Sequence, residues 1–164
     1  MSLPPTIHDS VTGDQKDPAL YRLHASLGYH LSVAARLQER WLDEKLRDIG
    51  LTRISWCVLL AVGNEGLTQP SDIATFVGID RTATSRALRG MEAQGLLERN
   101  SGEGDRRTRH ITLTPAGERA IEAATPFARE NAARMADRLR PEDHAELLRL
   151  LARLIEGNPG LPSL

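Results

Sequence analysis

The chain has 164 residues, 40% of them hydrophobic and 26% charged, with a formal net charge of -1, a balance typical of a globular domain long enough to bury a core. No apolar run approaches the roughly 18 residues of a membrane helix, and no apolar stretch after a basic start reads as a secretory signal, so a cytoplasmic protein is expected by elimination, without a membrane partner. The single cysteine, Cys57, excludes an internal disulfide framework and a cysteine-rich zinc site.

Residues 1 to 17 are rich in Pro, Asp, Thr and Gly without periodicity, which predicts a mobile tail. From Ala19 to Asp48, apolar residues recur three or four apart, among them Leu20, Leu23, Leu27, Leu31, Leu37, Trp41 and Leu46, predicting one long amphipathic helix that stops before Gly50. In "LTRISWCVLLAVGNEG", Thr52 is suited to an N-cap and Gly63 to a stop, and the apolar run from Trp56 to Val62 predicts burial. Pro70 and Gly78 bracket a short third helix. Asp80 can cap a fourth, "RTATSRALRGMEAQG", in which Thr84, Ala87, Leu88 and Met91 form a packing stripe. Two short strands, "LLERN" and "HITLT", then bracket the loop "SGEGDRRTR" as a hairpin. Thr114 and Pro115 reopen helix, with a kink expected at Pro126, and Pro141 starts a last leucine-rich helix ending near Gly157.

The near-zero net charge conceals an asymmetry. Residues 81 to 110 hold seven arginines against four carboxylates, a local charge of +3. On the fourth helix the polar stripe carries Arg81, Thr82, Ser85, Arg86 and Arg89; in the hairpin, Arg106, Arg107 and Arg109 crowd the loop. A helix, a tight turn, a second helix and a hairpin is the order of a winged helix-turn-helix, whose second helix enters the major groove of double-stranded DNA. Guanidinium groups and short hydroxyls suit phosphates and guanine edges. A hairpin beside that helix would bring Arg106, Arg107 and Arg109 to the flanking minor groove, where negative potential is concentrated. Asp105, a carboxylate among these cations, reads as the partner of an arginine.

The stretch from Gly50 to Gly117 resembles the MarR (multiple-antibiotic-resistance regulator) family of transcription factors, through "SRALRGMEAQGLLER" and "GDRRTRHITLTPAG". Ser85 stands where that family usually has threonine, and Thr84 and Ala87 where it prefers larger apolar residues. The resemblance implies a mainly α protein with a small β-hairpin wing. It also implies a helical dimerisation region from residues 18–50 and 116–158, a DNA-binding domain at 51–115 and a short tail at 159–164. A homodimer would present two winged modules to a pseudo-palindromic operator, acting as a ligand-responsive repressor. Asp105 would brace the wing while Arg107 enters the minor groove, and the effector would be a small aromatic or phenolic anion. Tyr29, His30 and Trp56 are candidates to line its site.

Other readings compete. Arg81, Arg86 and Arg89 could form helix-surface ion pairs with Glu92 or Glu98. A winged fold could serve as a protein-interaction module; steep weakening by salt would distinguish phosphate binding from an apolar protein contact. Cys57 could sense oxidants, although "SWCVLL" favours inert packing. His24 and His30, six apart, make a poor metal pair, and no cofactor is implied. An enzyme is not expected: the sequence has no G-x-S-x-G, H-E-x-x-H or phosphate-loop motif.

Overall fold

In a computed structural model, the structure describes residues 20–101 and 109–157. The expected tails, and Asp105, Arg106 and Arg107 with the loop that carries them, lie outside the described residues. The chain divides after Glu39 into two units, and the first helix, α1 (Leu27–Asp48), runs through the division.

The N-terminal unit contains a 3-10 turn (Leu23–Ala25) and the first part of α1. The helix expected from Ala19 therefore begins eight residues later, and Ser26 is the reason. Its backbone is extended, its hydroxyl donates to the Leu23 carbonyl at 2.8 Å, and the Tyr29 amide donates to that hydroxyl at 3.3 Å. A serine that satisfies an orphan amide starts a helix, however continuous the apolar spacing before it.

In the second unit, helix α2 (Arg53–Gly63) is the centre of the core. Thr52 and Ser55 form a reciprocal capping box at its start, and its Trp56, Val58, Leu59, Ala61 and Val62 are all buried. Around it pack Leu42 and Leu46 of α1, Ile73 of α3 (Pro70–Val77), Leu88 and Met91 of α4 (Arg81–Ala93), and Ala124 of α5 (Pro115–Ala136). Full burial of a Leu or Ile contributes about 1.5–3 kcal/mol, so this cluster is the main source of stability in the unit.

Strands β1 (Leu97–Ser101) and β2 (Arg109–Leu113) pair antiparallel, with Leu97 opposite Leu113 and Asn100 opposite His110. Leu97 and Ile111 point from this hairpin into the core. Helix α5 continues through Pro126, and α6 (Pro141–Ile155) has no buried residue. Among the described residues no helix is long and apolar enough to cross a membrane. The chain is thus mainly α with a two-stranded hairpin, as the sequence led us to expect.

Candidate nucleic-acid interface

The candidate recognition helix is set by local chemistry at its start. Gly78 closes α3 at φ 73°, a conformation glycine adopts without penalty, and the chain turns within two residues into α4. There the Asp80 carboxylate accepts from the Ala83 amide at 2.8 Å. Thr84, 1% exposed, occupies the inner stripe with Leu88 and Met91, and its hydroxyl donates to the Asp80 carbonyl at 2.9 Å. A polar side chain thus sits in the core with its hydrogen bond made.

Rotation by 3.6 residues per turn places the other stripe outward. Arg81, Thr82, Arg86 and Arg89 are exposed, while Ser85 and Ala87 are half-buried at the margin. None of the three arginines takes part in an ion pair among the described residues. Glu92, a candidate partner, lies 3.2 Å from Arg99 of β1 instead. Arg99 has a side chain only 12% exposed, so its charge, although counted in the local excess, is turned inward. The three α4 guanidiniums are therefore free to meet phosphates or base edges.

The hairpin that follows is fastened along β2. The Ile111 amide donates to the Thr68 carbonyl at 2.9 Å, and His110 Nδ1 lies 3.3 Å from both Gln69 Nε2 and Thr68 Oγ1. Arg109 has its backbone in β2, opposite Ser101. No local pattern announces this fastening, since Gln69 and His110 are 41 residues apart.

The candidate effector residues are distributed between the units. In the N-terminal unit, Tyr29 stands edge-on to His24 at 4.5 Å, and His30 Nδ1 is 2.9 Å from the Ser26 carbonyl. In the second unit, Trp56 is buried. A mostly apolar cavity of about 290 Å³ opens between the start of α2 and α4, lined by Thr52, Ile54, Ala83, Arg86, Ala87 and Met91 among others, and by none of those three. Among the described residues no cluster of three or more His, Cys, Asp or Glu is arranged to hold a metal.

Cys57 is half-buried, and burial pushes its thiol above the ordinary range, with Arg53 opposing more weakly. A thiol held protonated is a poor nucleophile. The native protein should accordingly alkylate with iodoacetamide at pH 7.5 at least about tenfold more slowly than the urea-unfolded chain. Labelling at equal rates would show the thiol to be open and ionised.

These elements define a winged helix-turn-helix protein, with the first helix of the pair at α3, the recognition helix at α4 and the wing at β1–β2. Residues 49–108 match the model of the MarR family. AbsC, a MarR family transcriptional regulator from Streptomyces coelicolor, is 29% identical, with a TM-score of 0.70 over 77% of this chain and 87% of AbsC. BpsR of Bordetella bronchiseptica, solved in work on the regulation of its DNA binding by 6-hydroxynicotinic acid, shares the fold at 24% identity and a TM-score of 0.78. The match covers 85% of this chain and 99% of BpsR. MepR of S. aureus, solved in complex with DNA, shares it at 24% identity and a TM-score of 0.73, over 79% and 96% of the two chains. The matched proteins are regulators rather than enzymes.

Proposed function

We propose that the protein is a ligand-responsive repressor that binds a pseudo-palindromic operator as a homodimer. Helix α4 enters the major groove with Arg81, Thr82, Ser85, Arg86 and Arg89, and the wing takes Arg106, Arg107 and Arg109 to the minor groove, braced by Asp105. The observation that carries this reading is the exposed stripe of α4, whose three arginines take no ion-pair partner among the described residues while the opposite stripe is buried. The DNA complex of MepR supports it at the level of fold.

Dimerisation is proposed through residues 18–50 and 116–158, with 51–115 as the DNA-binding domain. Helix α6 leaves Leu147, Leu148, Leu150 and Leu154 exposed, and Leu20, Leu23, Leu27 and Leu37 are exposed in the N-terminal unit. Leucines at helical spacing without cover favour a seam with a second copy. Two half-sites held together raise a weak module's affinity through effective concentration.

The proposed effector is a small aromatic or phenolic anion, with Tyr29, His30 and Trp56 as candidate contacts. The control of BpsR by 6-hydroxynicotinic acid supports that class. It would act by shifting the population of winged-module arrangements that fit the operator. Selection of bound fragments from genomic DNA, followed by a screen for small molecules that release them, tests both halves of this proposal. Failure to enrich any fragment would refute the first half. Within it, Arg107→Ala should weaken operator binding and reduce the salt slope by about one unit, one counterion-releasing contact being lost. A gel-shift affinity equal to wild type in a folded, dimeric variant would contradict the minor-groove role.

A further inference from the structure

Gln69 stands at the N-cap position of α3, yet its side chain caps nothing. Serine, threonine, aspartate or asparagine is favoured there because a short side chain can satisfy an orphan amide, and glutamine reaches too far. Its amide nitrogen lies instead 3.3 Å from His110 Nδ1, which is also 3.3 Å from the Thr68 hydroxyl. One residue on, the Ile111 amide donates to the Thr68 carbonyl. Two consecutive residues of β2 are thus tied to the two residues that lead into the helix-turn-helix.

From this geometry we infer that His110 is a positioning residue for DNA binding. Through Nδ1 its imidazole ties the loop end of β2 to the start of α3 and so fixes the wing's angle to the recognition helix. The inference rests on the proposed wing-in-groove reading. The chemistry favours histidine. Gln69 Nε2 can only donate, so the group facing it must offer a lone pair, and a ring nitrogen does so without a long flexible stem, while the Thr68 hydroxyl borders the same atom. Ile111 is already held by its buried side chain and its backbone bond to Thr68; the His110 contact on the neighbouring residue adds a side-chain tie one step nearer the loop. Arg107 precedes His110 by three residues in the chain, so play at His110 is carried directly to the groove-reading side chains.

The test uses the full chain with H110L, H110N and Q69M, reading exchange of the Ile111 amide by NMR and binding to a genome-selected fragment across a salt series. In H110L, Ile111 protection should fall by at least about tenfold, and DNA affinity by about tenfold with a salt slope smaller by about two units, because the wing contacts are no longer held in place. Asparagine places an acceptor oxygen near the position of Nδ1, so H110N should stay within about twofold of wild type in affinity. Q69M keeps the length of the side chain and removes the donor, and should reproduce H110L. It carries the test if H110L fails to fold. Unchanged Ile111 protection and salt slope in folded H110L or Q69M would overturn the inference, as would an H110N as impaired as H110L. If the wild-type protein shows no salt-dependent DNA binding, the proposed function fails, while Ile111 exchange still decides whether the pin exists.

Discussion

Arg86→Ala should lower operator affinity by about thirtyfold or more while leaving the fold intact. A bidentate arginine contact to a base discriminates by about 1–3 kcal/mol, and a dimer on two half-sites loses two such contacts. The total of about 2–6 kcal/mol corresponds to roughly 30-fold to 10⁴-fold, since about 1.4 kcal/mol is tenfold. Stability should change by no more than about 0.5 kcal/mol, because Arg86 is exposed and no ion pair within the described chain is broken. Fluorescence anisotropy with a labelled fragment, alongside thermal melting, separates the two effects. An unchanged affinity would remove α4 from the groove; a large fall in melting temperature would mean that Arg86 acts in folding.

Gly117→Ala should be the most destabilising single-methyl addition in the second unit. A Cβ built at Gly117 overlaps the carbonyl oxygen of Leu96 and lies 3.2 Å from its carbonyl carbon. Neither side can yield easily. The Leu96 oxygen accepts from the Thr114 amide at 3.2 Å, the Thr114 hydroxyl donates to the Gly95 carbonyl at 2.6 Å, and the Gly117 amide donates to that same hydroxyl at 3.2 Å. The start of α5 is bolted to the start of β1, backbone against backbone. Overpacking of this kind costs about 3 kcal/mol, and at about 2–4 °C per kcal/mol the Tm should fall by about 6–12 °C. Gly90→Ala is the control. It sits within α4 with no atom within 4 Å of a built Cβ, and should stabilise by about 0.5–1 kcal/mol through helix propensity. Equal melting temperatures for Gly117→Ala and wild type would show that the junction can open without loss.

What could be read in the sequence was what local chemistry writes into a few consecutive residues. Thr52, Pro70, Gly78, Asp80, Thr114 and Pro141 each mark a helix boundary through a capping hydroxyl or carboxylate, a fixed φ or a left-handed turn, and each lies where its chemistry places it. The α4 stripes follow from helical period alone. Ser26 was passed over because the apolar spacing runs across it, although a hydroxyl there is itself a start signal. Other features required the folded chain. That Arg99 turns inward to Glu92 depends on how β1 crosses α4, and the His110 to Gln69 contact joins segments far apart in sequence. Helical period puts Thr84 on the packing stripe, and the bond from its hydroxyl to the Asp80 carbonyl explains how a polar group is buried there.

The proposed DNA binding is electrostatic attachment to a duplex through the exposed arginines of α4 together with those of the wing. The most direct test of that attachment is the affinity of the wild-type protein for a genome-selected fragment from about 50 to 200 mM salt, plotted as log K against log salt. With two modules each neutralising at least three or four phosphates, the slope should be about -6 or steeper. A slope near zero, with tight binding throughout, would contradict it.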